Sequence, residues 1–232
     1  MSNKELYKNV FIKTLPVMAG YIVLGMGFGI LLKVNGYGLF WAFIMSAFIY
    51  AGSAQYVGIS LISGGASIFT TAMTILMVNA RHLFYGVSML KHYEGAGKRK
   101  PYMIFALTDE TYSLVCDGES IPGVDKHRYW FLLSLFNQTY WVLGSILGSI
   151  AYSVIKFNAT GIEFSMTALF VTVFVEQWVS TKEHRPALIG ILVSIISLLI
   201  FGSSRFLIPA MIGIVVLLSL LRTTLESRES DE

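Results

Sequence analysis

Eight apolar stretches follow one another along the chain, separated by short polar loops. A helix needs roughly 20 apolar residues to cross a bilayer, and four of these stretches are shorter than that. The pattern predicts an all-α polytopic membrane protein with seven or eight transmembrane helices, some of them short, broken or re-entrant. The stretches span residues 14–33, 38–62, 67–90, 101–116, 129–155, 163–179, 187–201 and 206–221.

The loops between these stretches leave no room for a soluble domain. We therefore expect residues 1–222 to form a single transmembrane domain and residues 223–232 to be a short, acidic, disordered tail. The apolar stretch that follows Lys4, Lys8 and Lys13 is longer than a typical signal-peptide core and has no small-residue cleavage site after it. The sequence therefore predicts a retained first helix.

Lysine and arginine in short loops normally mark the cytoplasmic side, but here they leave two topologies open. Eight full crossings with the amino terminus inside leave the basic cluster at 91–100 outside. A re-entrant segment among the first three brings that cluster inside and moves Lys182, Arg185 and the carboxy tail outside. Both topologies stay open, and we favour seven crossings slightly.

Glycines recur in a pattern that suggests an internal repeat. Tyr, Val, Leu, Gly and Gly occur at identical spacing in 21–29 and 140–148. Gly144 and Gly148 have the spacing that lets membrane helices pack closely. The glycines of the first helix alternate within one and a half turns, which favours a bend or an unwound stretch that exposes backbone amides to a ligand. These three are Gly25, Gly27 and Gly29.

Composition and motifs exclude several classes of protein. Hydrophobic residues make up 55% of the chain and charged residues 13%, against about 25% charged in soluble domains, so the lipid bilayer is the expected partner. The net charge of +3 comes without a basic stripe, so no nucleic acid is expected. Cys116 is alone, and neither a phosphate-binding loop nor a hydrolase motif occurs. We expect no enzyme activity, no cofactor and no metal.

Charged and polar residues within the apolar stretches are the candidate site, because burying a charge in a membrane costs at least ~2.5 kcal/mol. Arg81 is the expected counter-ion of Asp109 or Glu110, and one of two adjacent acids can titrate in the working range. A static ion pair remains the alternative for these charges. The expected substrate-binding residues are Gly25, Gly27, Gly29, Gly52, Ser53, Gln55, Asn79 and Arg81, and the expected proton-coupling residues are Asp109, Glu110 and His82. Glu176 and Gln177 lie near the end of their segment, where an interfacial position is expected.

Three polar motifs in register give the chain a family resemblance. They are Ala51–Tyr56, Val78–Gly86 and Leu107–Glu110, and they follow a Leu15-Pro16-Val17 start. In this order and separation they resemble the AzlC family of bacterial inner-membrane proteins, over most of the chain. The resemblance implies the large subunit of a branched-chain amino acid exporter, which moves valine, leucine, isoleucine or methionine and works with a small AzlD-type membrane subunit.

From the residues we add a mechanism, in which a zwitterionic amino acid binds near mid-membrane and protonation of an acid drives its release. The carboxylate is expected at Arg81 or at backbone amides around Gly25–Gly29, and the ammonium at Asp109 or Glu110. A passive channel and a purely structural membrane subunit remain the alternatives. The former would need no titrating acid, and the latter would use the polar residues for assembly only.

Overall fold

The computed structural model describes the backbone of residues 2–116, 118, 120–155, 161–162, 164–181, 183–202 and 206–229. Several helical residues in these ranges, among them Arg81, Glu176 and Gln177, are described by their backbone alone. The regular structure in the described part of the chain is helical throughout. The helices are α1 (Asn3–Val34), α2 (Leu39–Phe48), α3 (Gly52–Ser63), α4 (Ile68–Val78), α5 (Ala80–Met89), α6 (Lys100–Phe105), α7 (Asp109–Val115), α8 (Lys126–Ile155), α9 (Phe164–Ser180), α10 (Arg185–Phe201) and α11 (Leu207–Glu229).

The expected all-α fold is confirmed, whereas the number of crossings is not. Within the described residues, α1 is long and apolar enough to span a membrane, and α2, α4, α10 and the segment Pro209–Leu221 are shorter apolar helices. The helix α11 continues through Glu229, so residues 223–229 are helical where a disordered tail was expected.

The chain divides into two compact units by its internal contacts, and the single transmembrane domain stays a prediction. Unit 1 comprises residues 1–71 and 78–166, and unit 2 comprises residues 72–77 and 167–232. In unit 2, α10 packs along α11, and a methyl group at Gly213 would meet the Val193 side chain at 2.9 Å. Unit 1 holds all of the candidate site except residues 176 and 177.

Two long helices, α1 and α8, form the scaffold of unit 1. A capping box starts α1, because the Glu5 backbone N–H donates to the Ser2 hydroxyl at 3.3 Å and the Ser2 N–H donates to the Glu5 carboxylate at 2.7 Å. The helix then runs without a break through Gly25, Gly27 and Gly29. The predicted unwound stretch is therefore wrong, and no backbone amide is freed there.

The glycines of α1 serve close helix packing instead. A methyl group at Gly25 would meet Trp141 O and Ser145 N at 3.0 Å, and one at Gly29 would overlap Ser145 O. The contacts are reciprocal, since a methyl group at Gly144 would meet Ile22 O at 2.8 Å and one at Gly148 would overlap the Met26 backbone. The two similar sequence segments thus pack face to face as parallel helices, in the small-xxx-small manner.

The second apolar stretch forms a hairpin of two short helices, α2 and α3. Going inward, α2 contacts the middle of α8, where the Ser46 hydroxyl donates to the Ser145 hydroxyl at 2.7 Å. The chain turns at Tyr50, whose positive φ of 45° is unusual for a side chain of this size. Then α3 returns, and the Ser63 hydroxyl donates to Asn35 Oδ1, beyond the end of α1, at 2.8 Å.

The fourth apolar stretch forms a second hairpin, α6–α7, which enters from the opposite end of unit 1. At its inner turn the Thr108 hydroxyl contacts Tyr21 on α1 at 2.7 Å. Its returning helix α7 brings Val115 into one core cluster with Leu6 and Trp130, close to the amino ends of α1 and α8. With about 1.5 Å of rise per residue, the 7 residues of α7 reach only part of the way across a bilayer.

We call the end from which α6–α7 enters the basic end, because the basic clusters of unit 1 meet there. Arg128 at the start of α8 donates to Asn3 Oδ1 at 3.0 Å. Arg99 donates to Asp125 at 2.7 Å, and this hydrogen bond holds the pKa of the Asp125 carboxyl below its ordinary value. The cluster at 91–100 and Arg128 thus both lie at the same end as the amino terminus. This arrangement agrees with a re-entrant segment among the first three. It departs from both predicted topologies at residues 101–116, which both treat as a crossing and which the structure folds into the α6–α7 hairpin.

Cysteine labelling can test this arrangement. Single cysteines at Lys4, Ser63 and Lys98 in a Cys116→Ser background should fall into two groups, because the α2–α3 hairpin returns to the end at which it began. We expect a membrane-impermeant maleimide to label Ser63→Cys from outside, and Lys4→Cys and Lys98→Cys only after permeabilisation. Labelling of Ser63→Cys and Lys4→Cys from the same side would mean that residues 38–62 cross the membrane once, against the hairpin.

Candidate functional site

The inner turns of the two hairpins meet at a set of polar side chains in the interior of unit 1. Four elements contribute to it: α1, the α2–α3 turn, the beginning of α7 and the middle of α8. We call this set the polar junction, and its members are Tyr21, Tyr50, Thr108, Glu110, Thr111 and Asn137.

The local sequence explains why Glu110 lies at this point. Thr108 has extended backbone dihedrals and caps α7, since its hydroxyl accepts from the Thr111 N–H at 3.3 Å. Asp109 and Glu110 occupy the first turn of α7, where the partial positive charge of a helix amino end favours carboxylates. The same residues therefore both start the helix and place two acids at the hairpin tip.

The Tyr21 hydroxyl joins α1 to this tip. Its oxygen lies 2.5 Å from Glu110 Oε2 and 2.7 Å from Thr108 Oγ1, but a phenol has one proton to donate. The carboxylate is the stronger acceptor, so the Tyr21 proton lies toward Glu110, and Thr108 Oγ1 is the second acceptor of the same hydroxyl. Tyr21 is only 5% exposed, which makes this a buried, charge-assisted hydrogen bond.

The chain of hydrogen bonds extends from Thr108 to α8. Thr108 Oγ1 and Thr111 Oγ1 lie 3.1 Å apart, and Asn137 Nδ2 donates to Thr111 Oγ1 at 3.0 Å. The Thr108 hydroxyl is the donor in the first of these bonds, so Thr111 Oγ1 accepts from both Thr108 and Asn137. A continuous set of hydrogen bonds thus joins α8 through the two threonines to Tyr21 of α1, which donates to the Glu110 carboxylate.

Two polar atoms of the junction have no hydrogen-bond partner among the described residues. They are the Tyr50 hydroxyl and Asn137 Oδ1, and both are buried. The Tyr50 hydroxyl lies near Tyr21 and Thr108 without hydrogen-bonding geometry. Buried polar groups are nearly always paired, so the junction has spare capacity for a polar ligand or a water molecule.

Gln55 lies in a separate, closed network that fixes α3 to α8. Trp141 Nε1 donates to Gln55 Oε1 at 2.9 Å, and Gln55 Nε2 donates to Ser46 Oγ at 3.3 Å. The Ser46 hydroxyl continues to Ser145. Both ends of the Gln55 amide are thus engaged in the hairpin, and its contacts position α3.

The other expected substrate-binding residues of this hairpin are Gly52, which lies against the same tryptophan, and its buried neighbour Ser53. A methyl group at Gly52 would meet the Trp141 ring at 2.9 Å, and Ser53 is buried at 3% exposure. Gly25 and Gly29 face α8, whereas Gly27 is half-buried. The structure thus brings Gly52 and Ser53 near the hairpin tip, while Gly25 and Gly29 belong to the packing of the scaffold.

Asn79 separates α4 from α5, and its Oδ1 is buried with no partner among the described residues. His82 meets Tyr85 edge-on at 6.2 Å between ring centroids, and Tyr85 stacks on Tyr112 of α7 at 4.6 Å. The Arg81 side chain, like those of Glu176 and Gln177, lies outside the described residues. The pairing of Arg81 with Asp109 or Glu110 therefore stays a prediction.

Of the six members of the polar junction, the sequence interpretation selected one, Glu110, as a site residue. The five that it did not select are Tyr21, Tyr50, Thr108, Thr111 and Asn137. Thr111 and Asn137 carry no signal that distinguishes them from other polar residues on apolar helices. Tyr21 did carry one, because it opens the repeated segment that recurs at Tyr140. The Tyr140 hydroxyl lies 3.0 Å from Thr14 Oγ1, so the two equivalent tyrosines make different contacts.

A helical chain with a long apolar span, short apolar hairpins and buried polar side chains has the character of a helical membrane protein. Comparisons with known proteins agree with this class and define it further. The model of the AzlC protein family matches residues 16–155, and the chain belongs to this family. The match runs from the middle of α1 to the end of α8, the part that carries the polar junction.

Named relatives extend the similarity over most of the chain. The "Branched-chain amino acid transport protein AzlC" of Bacillus subtilis is 42% identical over 96% of this chain and 88% of its own length. An "Uncharacterized membrane protein" of Haemophilus influenzae is 39% identical over 97% and 92%. The "Inner membrane protein YgaZ" of Escherichia coli is 24% identical over 75% and 73%. No solved structure matches the chain.

Proposed function

We propose that this chain is a secondary transporter subunit that exports branched-chain amino acids across the bacterial inner membrane by proton antiport. One observation carries the proposal: the Glu110 carboxylate lies where hairpins from opposite ends of unit 1 meet. A carboxylate at that place can exchange protons with either side as one hairpin or the other moves. The printed name of the Bacillus subtilis relative supports the transport of branched-chain amino acids.

The polar junction suits a zwitterionic substrate with an apolar side chain. The ammonium group would meet Glu110 or Asp109, and the carboxylate would meet Arg81. Phe28, at 0% exposure, lies in one core cluster with the junction residues Tyr21 and Tyr50. These rings would offer an apolar wall for valine, leucine, isoleucine or methionine. Protonation of the acid would weaken its contact with the ammonium and promote release.

We further propose that the chain crosses the membrane several times and works with a small AzlD-type membrane subunit. The long α1 and the short, membrane-embedded hairpins leave apolar side chains exposed, among them Phe48 at 69% and Val23 at 69%. Lipid or a second membrane protein can cover such side chains.

Efflux from loaded cells tests the proposed function. We expect saturable loss of labelled valine, leucine, isoleucine or methionine when the chain is produced with its small partner, and a strong reduction when a protonophore collapses the proton gradient. Arg81→Ala at matched membrane abundance should lose this efflux, because the substrate carboxylate would lose its cation. Linear, non-saturating flux that ignores the gradient would indicate a channel and contradict the proposal.

A further inference from the structure

The tip of the α6–α7 hairpin is tied to the scaffold helices by a few polar contacts. Tyr21 of α1 bonds Glu110, Asn137 of α8 donates to Thr111, and Tyr102 donates to Gln138 of α8 at 2.5 Å. Only the first of these contacts has a partner whose charge can change. The strength of the tie between α1 and the hairpin tip therefore depends on the protonation of Glu110.

We propose that Tyr21 is a positioning residue of the Glu110 site, whose phenol holds the hairpin tip against α1 while Glu110 is a carboxylate and loosens it when Glu110 takes up a proton. This inference rests on the proposed function, in which Glu110 titrates. It adds the residue that connects titration to movement of a hairpin.

The proton count of the junction explains the switch. An ionised Glu110 can only accept, and the Tyr21 hydroxyl donates to it. A protonated Glu110 carries its own hydrogen, so its bond to Tyr21 becomes neutral. Charge-assisted hydrogen bonds are roughly twice as strong as neutral ones. Protonation of Glu110 therefore weakens the hydrogen bond that holds the hairpin tip to α1.

Several titratable groups face Glu110 from the elements packed around it. Tyr21 comes from α1, Tyr50 from the α2–α3 turn, and Asp109 precedes it on α7. The two phenols are neutral donors, and Asp109 adds a like charge. Of these groups, Tyr21 makes the direct hydrogen bond to the carboxylate.

The repeated segment supplies a matched control. Tyr140 occupies on α8 the position that Tyr21 occupies on α1, and its hydroxyl contacts Thr14 of α1 instead of the hairpin. Tyr21→Phe and Tyr140→Phe each remove one buried hydroxyl of the same scaffold pair. Only the former removes a bond to the hairpin tip.

The reactivity of a cysteine in the α6–α7 turn measures whether the hairpin tip separates from α1. Ala106, between α6 and α7, is 0% exposed, so Ala106→Cys in a Cys116→Ser background should react slowly with a small membrane-permeant thiol reagent. At neutral pH we expect Tyr21→Phe to raise this rate about tenfold over Tyr140→Phe, the factor that corresponds to ~1.4 kcal/mol. The ratio between the two variants cancels the intrinsic pH dependence of the thiol.

The pH dependence of that ratio distinguishes a switch from a static contact. In mildly acidic medium Glu110 becomes protonated in the Tyr140→Phe variant as well, so the ratio should fall toward one. Glu110→Gln, which is always neutral, should react faster than Tyr140→Phe at neutral pH and show no such change. A ratio of one at every pH, or a Glu110→Gln variant as protected as the control, would overturn the assignment of Tyr21.

Labelling needs no transport, so its result separates the two proposals. If wild-type efflux fails while the Tyr21→Phe ratio rises and falls with pH as expected, the proposed function is wrong and the role of Tyr21 stands. If efflux is proton-dependent but the ratio stays at one, the proposed function stands and the role of Tyr21 is wrong.

Discussion

Gly148→Ala is expected to remove most of the protein from the membrane. A methyl group at position 148 would overlap the carbonyl oxygen of Met26 and come within 2.6 Å of its Cα. These are backbone atoms in the middle of α1, so they cannot rotate away, and the two scaffold helices would have to separate. Overpacking a close contact typically costs ~1–3 kcal/mol, and a rigid backbone contact lies at the upper end or above. Membrane abundance and the detergent melting temperature would measure the effect.

Gly20→Ala is the matched control, because Gly20 lies on the same α1 helix with nothing within 4 Å of an added methyl group. Alanine is favoured over glycine within a helix by roughly 0.5–1 kcal/mol, so this variant should be as stable as the wild type or more so. Gly29→Ala should resemble Gly148→Ala, since its methyl group would overlap Ser145 O. Wild-type stability in Gly148→Ala would contradict the close packing of α1 on α8.

The glycines show why local sequence could predict packing in one helix and not in the other. Gly144 and Gly148 have the four-residue spacing of a packing face, and so do Gly25 and Gly29. Gly27 between the latter pair suggested a weakened helix instead. The helix α1 stays regular because its reciprocal contact with α8 buries Gly25 and Gly29. The two helices are far apart in sequence, so local helix propensity cannot predict this contact.

The hairpins mark the limit of what hydrophobicity alone can predict. The all-α class followed from the apolar stretches, and the short fourth stretch indicated a broken or re-entrant segment. The stretch at 38–62 is long enough to cross, yet it turns at Tyr50. Tertiary contacts such as Ser63 with Asn35 and Gln55 with Trp141 determine that turn, and neither could be predicted from composition.

The sequence could predict the charged residues of the candidate site, because burying a charge in a membrane costs free energy. A carboxylate in an apolar stretch is conspicuous, and Glu110 was selected on that ground. Its partner Tyr21 is inconspicuous, because tyrosines are common on membrane helices. The sequence also could not separate one buried amide side chain from another. Gln55 is engaged in a closed network, whereas Asn137 belongs to the polar junction.

Glu110→Gln is expected to abolish proton-driven efflux while leaving the protein folded. The amide has nearly the same shape as the carboxyl group and can still accept from Tyr21, but it can neither take up nor release a proton. Since the bond to Tyr21 at 2.5 Å connects α1 with the hairpin tip, preserving an acceptor there should preserve abundance. Efflux of the labelled amino acids against an imposed pH gradient, at matched membrane abundance, measures the loss.

Two comparisons locate this effect at the polar junction. Glu94→Gln removes an exposed carboxyl group in the loop after α5 and should export normally, which controls for the change in net charge. Asp109→Asn tests the neighbouring acid, and a smaller defect there would assign the coupling proton to Glu110. Normal pH-dependent efflux in the double variant Glu110→Gln/Asp109→Asn would exclude carboxylate coupling at the hairpin tip, because neither acid would then remain there.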